Sequence, residues 1–193
     1  MTTEPSVVGV LLEEAARARE RPPDLPVELA HLAPEPVLER IAFHEAGHAV
    51  TVRHFGYPVV SASIEGQYDS GGRVIPRTPP EAPPHDRIVV LLAGAEAEKR
   101  AWPALAFDEC EKGDLHDLAD AAFWAAFELE CLPGDPRVAG LVKRLRPEAA
   151  RIVRRHWAWV ERVAAELVRW RRLTGAQIDA VRPKERTWRS RSR

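Results

Sequence analysis

Residues 36–56 read PVLERIAFHEAGHAVTVRHFG. Proline suits the first turn of a helix, where its missing N–H is not needed. Glycine suits the position just past a helix end, where a left-handed backbone stops the spiral. Between them Val37, Ile41, His44, His48 and Val52 recur at spacings of three and four and mark one face. The stretch predicts an amphipathic helix from Pro36 to Phe55, with Gly56 as its stop. The run His44-Glu45-Ala46-Gly47-His48 then puts two imidazoles one turn apart on the same face. Both can point at a single ion, and Glu45 lies beside it, placed to take a proton from water activated there.

Two histidines do not complete a catalytic zinc site, which takes a third protein ligand. Downstream lie Glu96, Glu98, Asp108, Glu109, Asp114, His116, Asp117 and Asp120. A ligand held on a helix is fixed before the metal arrives, which favours Glu96, Glu98, Asp117 and Asp120. Spacing alone does not choose among these four. His116, next to Asp117 in sequence, points about 100° away on a helix and is expected to be exposed.

The surrounding pattern predicts a small sheet set among helices. Val59 to Ile64 alternates as a strand. The turn Asp69-Ser70-Gly71-Gly72 leads to a second strand from Arg73 to Pro76, which its proline confines to an edge. Proline-rich Thr78 to His85 reads as a loop. Asp86 to Trp102 and Gly113 to Glu130 read as buried helices. Pro147 to Leu173 reads as one further helix, with Ile152, Val153, His156, Val160, Val163, Leu167 and Trp170 as its apolar stripe. Thr174 and Gln177 form a capping box that opens a last short helix to Val181. The expected fold is α+β and predominantly helical, with a two- or three-stranded sheet and a C-terminal helical bundle. Residues 1–35 are expected to be an accessory helix (about Val7 to Arg21) and linker, residues 36–182 the main domain, and residues 183–193 a disordered basic tail.

Composition narrows the classes. The 193 residues are 45% hydrophobic and 30% charged with a formal net charge of -1, which excludes a uniformly basic nucleic-acid coat. The charge is uneven: residues 137–193 carry 17 basic and 5 acidic side chains. Trp157, Trp159 and Trp170 among those arginines suit a core stripe with a solvated basic face better than base stacking, because their spacing is helical. His54 and His156, lone histidines on apolar helices, read as packing residues. The longest apolar runs fall short of the roughly 20 residues that span a bilayer, so no membrane segment is expected. Cys110 and Cys131 form neither a disulfide framework nor a metal clip, which points to reduced thiols and a cytoplasmic location.

From about Val37 to Val181 the chain resembles the peptidase domain of the FtsH family of ATP-dependent zinc proteases. The resemblance rests on several features in the family's order. His44-Glu45-Ala46-Gly47-His48-Ala49 matches its zinc helix, and Val60 to Ile64 with Gly71-Gly72 matches the strands after it. Leu92-Ala93-Gly94 with Ala97-Glu98 is similar to its "LxGRxAEE" helix, and Gly113 with Asp117-Leu118 and Ala121 to its "GAxxDLxxAT" segment. Leu173-Thr174-Gly175 with Ile178 is similar to its closing "LTGEEI".

The resemblance implies a zincin-like fold holding one Zn2+ per chain through His44, His48 and Asp117, with Glu45 as general base. It also implies that Glu98 orients a ligand histidine and that the strand Gly72, Arg73, Val74 and Ile75 holds an extended peptide by main-chain pairing. Asp114 sits where the family has alanine, and no GxxxxGK[ST] phosphate loop occurs in these 193 residues. The expected activity is therefore zinc-dependent, ATP-independent hydrolysis of peptide bonds in unstructured or partner-presented chains. Partners of such a chain include copies of itself and a separate ATPase or adaptor, whereas nucleic acid is not expected. The alternative is a zinc-binding regulatory protein of the same fold that cleaves little, and the intact Glu45 argues against it.

Overall fold

The computed structural model describes residues 35–65, 71–103 and 115–184. The expected N-terminal helix and linker, the first half of the glycine turn, Asp108, Glu109, Cys110, Asp114 and the tail beyond Lys184 lie outside the described residues. No helix among the described residues is long and apolar enough to cross a membrane.

Helix α1 (Glu35–His54) forms where the sequence predicts it. It closes on Gly56 at φ 84°, with Gly56 N–H donating to the Arg53 carbonyl and Tyr57 N–H to that of Val52. Strand β1 (Val59–Ser63) follows and pairs antiparallel with β2 (Arg73–Pro76), through Ala62 opposite Val74 and Ser63 opposite Arg73. Helices α2 (Pro84–Ala101) and α3 (Leu115–Glu128) come next. The architecture is mostly helical α+β with a small antiparallel sheet, as expected.

The C-terminal third differs from the expectation. Instead of one helix from Pro147 to Leu173 there are two, α4 (Pro136–Arg155) and α5 (Trp157–Trp170), meeting at His156. Pro147 lies inside α4 rather than opening it. An internal proline costs roughly 3 kcal/mol. The helix continues through it because Val138, Leu141, Leu145, Ala149 and Ile152, on both sides of Pro147, bury into one cluster with α2 and α3. The chain breaks at His156 because Trp159, Val160, Val163, Ala164 and Leu167 bury into a different cluster, around α1 and the sheet. One straight helix could not reach both.

Residues 172–173 are not helical either. Arg171, at φ 62°, turns the chain into β3 (Arg172–Thr174), which pairs antiparallel with β1 through Ala62 opposite Leu173. The sheet order is β2-β1-β3, so β1 is central and β2 is an edge. Helix α6 (Gly175–Ala180) opens on the expected capping box, Thr174 N–H donating to Gln177 Oε1 at 2.8 Å.

Of the tryptophan stripe, Trp159 is core and donates its indole N–H to the Ile178 carbonyl at 2.9 Å. Trp157 packs half-buried on Phe43. Trp170 is 55% exposed and held by Glu166, so it is not part of the core. His54 and His156 are not lone: their rings face each other, Nδ1 to Nε2, at 3.0 Å. Burial, followed by Arg155 and Arg151, holds His54 below its ordinary pKa, so its ring remains uncharged more readily.

Helix α1 packs chiefly on α2 and α5. Its contacts with α2 pair Arg40 with Glu98 and His48 with Val90, so the two helices run antiparallel. They cross closely at Gly47, where an added Cβ would lie 2.5 Å from the Ala93 carbonyl oxygen and 2.8 Å from Ala97 Cβ. In an open helix Gly47→Ala would gain about 1 kcal/mol of propensity. Here the backbone oxygen cannot yield, and overpacking of about 1–3 kcal/mol dominates. The Gly47→Ala variant is expected to unfold at lower temperature and lower urea than the parent. An unchanged or raised midpoint would contradict this helix crossing.

Candidate metal centre

The α1 face and the α2 crossing bring His44 and His48 over Gly94, and α3 runs back along α2 to bring Asp117 to the same point. His44 Nε2 and His48 Nε2 lie 2.8 Å apart. Asp117 Oδ2 lies 2.9 Å from the first and 3.0 Å from the second. The three side chains form the metal-capable group found among the described residues. Their side chains are 12%, 9% and 25% exposed, so the site is nearly closed on the protein side and open toward Asp117.

What the second nitrogens do decides the chemistry. His44 Nδ1 is 2.7 Å from Glu98 Oε1, and His48 Nδ1 is 2.8 Å from the Val90 carbonyl oxygen. A carboxylate and a carbonyl only accept, so each Nδ1 carries the hydrogen. In the neutral rings both Nε2 atoms then present lone pairs, toward each other and toward a carboxylate. Three converging acceptors repel unless a cation lies among them. This is the donor set of a His-His-carboxylate metal site, with the ring orientation fixed from behind.

Gly94 makes the convergence possible. A Cβ there would lie 2.5 Å from His44 Nε2 and 2.6 Å from His48 Nε2, in the space the rings occupy. Gly72 does the same for Glu45, whose Oε1 would be 2.5 Å from a Cβ at that position. Glu45 is buried, and burial raises its carboxyl pKa despite the opposing pull of His48 and His44. It is therefore a stronger base than an exposed glutamate.

The expected residues sort clearly. His44, His48 and Asp117 come together, and Glu98 orients His44 while Arg40 holds Glu98 from the other side. Glu96 turns away to Lys99 and Arg146, and Asp120 and His116 are exposed. Gly72, Arg73, Val74 and Ile75 lie along the β2 edge, starting beside Glu45. Sequence reasoning missed Arg40, the Val90 carbonyl and the steric role of Gly94. Arg40 precedes His44 by one helical turn, a usable signal; the other two follow only from the helix crossing.

Without a metal, His48 and Asp117 shift each other's pKa. Burial lowers the His48 pKa, but Asp117 more than offsets it and the net shift is upward from 6.5. Burial raises the Asp117 pKa, but His48 and the hydrogen bonds of both histidines hold it well below 3.8. A raised histidine stabilises the fold below its unfolded pKa and loses that contribution as pH rises. A depressed carboxyl stabilises above its unfolded pKa and loses it as pH falls. The metal-free site therefore contributes most between about pH 4 and 6.5. A metal competes with those protons, so its stabilisation should grow with rising pH. The difference in Tm between metal-loaded and metal-free protein is expected to increase from pH 5.5 to 8. A constant or shrinking difference would place the metal elsewhere.

No protein-family model matches the chain, and no curated protein matches it in sequence.

Proposed function

We propose that this chain is a zinc metallopeptidase, resembling the FtsH peptidase domain, that cleaves unstructured or partner-presented polypeptides without ATP. The reading is carried by one observation: two Nε2 atoms and a carboxylate oxygen converge within 3.0 Å of one another, with both Nδ1 atoms already engaged by Glu98 and Val90. Two imidazoles and a carboxylate are a ligand set that suits Zn2+, one per chain. Zinc bound there supplies Lewis acidity, polarising a carbonyl and lowering the pKa of water toward neutrality.

The chain's own residues do the rest. Glu45, a raised-pKa carboxylate, accepts the proton of the attacking water and returns it to the leaving amine. Glu98 and the Val90 carbonyl keep both rings in the ligating tautomer. The outer edge of β2 offers main-chain groups from Arg73 to Ile75 to an extended peptide, which brings a carbonyl past Glu45. Folded proteins expose such segments only by opening, which costs free energy. A separate ATPase or adaptor, or assembly of several copies, would serve that need.

The test is metal content together with cleavage. Purified protein supplied with zinc at neutral pH is expected to bind about one equivalent and to cleave casein without ATP. His44→Ala should lose both properties. A protein that stays metal-free under those conditions, or that cuts folded and destabilised forms of one substrate equally, would defeat the proposal.

A further inference from the structure

Helices α2 and α4 enclose a cavity of about 300 Å³, large enough for a small molecule. Its walls are Glu96, Lys99 and Arg100 of α2, Pro103 just past the end of that helix, and Ala150 and Arg154 of α4. Positions 96, 99 and 100 fall at spacings of three and four, so they share one face of α2, and 150 and 154 share one face of α4. Glu98, which orients His44, is two residues from Glu96 and therefore about 200° around the helix. The cavity lies on the face of α2 turned away from the metal centre and is a separate site.

Its charge is one-sided. Lys99, Arg100 and Arg154 meet a single carboxylate, and that carboxylate is already shared. Glu96 Oε1 lies 3.4 Å from Lys99 Nζ and 3.4 Å from Arg146 Nη1. With Arg146 there are four cations around one anion. Arg100 rests with its guanidinium 4.8 Å over the Trp157 ring. A guanidinium stacked in this way keeps its in-plane N–H groups for acceptors. Arg154 is exposed and makes no hydrogen bond or ion pair among the described residues. Like charges gathered at one cavity repel, and an anion entering it relieves that repulsion while gaining charge-assisted hydrogen bonds. A singly charged anion leaves most of the excess uncompensated. Two linked phosphates match it better, because arginine forks fit phosphate oxygens in pairs and lysine adds a point charge.

We propose that this cavity binds a compact di- or polyphosphate, free or carried on a small organic group, through Lys99, Arg100 and Arg154. The site does not depend on the peptidase reading.

The test is calorimetric titration of the full chain with pyrophosphate, ADP and orthophosphate at about 150 mM salt, where diffuse surface attraction is screened. Pyrophosphate or ADP should bind at one site, about tenfold or more tightly than orthophosphate. Tighter binding of ADP than of pyrophosphate assigns the phosphates to an organic carrier, and equal binding assigns them to the free diphosphate. Arg154→Gln and Lys99→Gln should each weaken the preferred ligand about tenfold or more. Arg144→Gln removes the same charge from an exposed position of α4 outside the cavity and should leave the affinity unchanged. Folded His44→Ala protein should also bind as the parent does, because the metal centre takes no part. No binding of either diphosphate, or equal weakening by Arg144→Gln, overturns the site. Loss of binding in His44→Ala places the anion at the metal centre and overturns it too. A single-stranded oligonucleotide that binds while neither diphosphate competes would overturn it in favour of a nucleic-acid face. Cleavage is no part of the readout, so failure here and failure of the peptidase reading are distinct.

Discussion

Glu45→Gln is expected to reduce peptide cleavage by about 10²–10⁴-fold while zinc content stays at the wild-type level. The substitution keeps the shape that packs against Gly72 and removes only the proton acceptor. Neither metal ligand on α1 moves, because His44 and His48 are held from behind by Glu98 and Val90. Stability gives a second readout with a definite sign. Burial raises the Glu45 pKa, so ionising it in the fold is unfavourable at neutral pH. The neutral amide escapes that cost, and the metal-free variant should melt at the same temperature as the parent or higher. Retained cleavage would remove Glu45 from the chemistry, and lost zinc would make it a ligand.

Gly94→Ala is expected to abolish zinc binding although no ligand changes. The added methyl occupies the space of both Nε2 atoms, 2.5 and 2.6 Å away, and the histidines must swing aside. Because the obstruction is the far end of two side chains, the metal-free fold should tolerate it. Alanine inside α2 even adds about 1 kcal/mol of helix propensity. Calorimetric zinc titration of folded Gly94→Ala should therefore show no site. Two companions rank the effects. Glu98→Gln, which leaves His44 ligating but less firmly oriented, should weaken zinc by about 10–100-fold. Asp117→Ala, which removes a ligand, should exceed that loss, and Glu96→Ala should have no effect. If Glu98→Ala loses the metal and Asp117→Ala keeps it, the site is completed by a glutamate.

These outcomes bear on how the site is built. The metal-facing atoms sit on two helices, α1 and α3, but the precision comes from small residues. Gly47 lets α1 and α2 approach, Gly94 leaves room for two rings, and Gly72 leaves room for the base. A site assembled on helices and held by a buried carboxylate and a backbone carbonyl needs little rearrangement on binding its ion.

Elements that depend on near neighbours are legible in the residues themselves. Helix α1 with His44, Glu45 and His48, its Gly56 stop, the two strands after it and the Thr174 capping box all follow from periodicity, end chemistry and turn residues. None needs a distant contact. Long-range packing decided the rest. The break at His156 and the passage of α4 through Pro147 depend on two clusters lying in different directions. Strand β3 exists because β1 has a second edge to fill. The choice of Asp117 over Glu96, Glu98 and Asp120 is of the same kind. Asp117 is 69 residues from His48 in the chain, and only the antiparallel return of α3 along α2 closes that distance to 3.0 Å. All four carboxylates are alike in local sequence terms, and helix packing gives each a different neighbour.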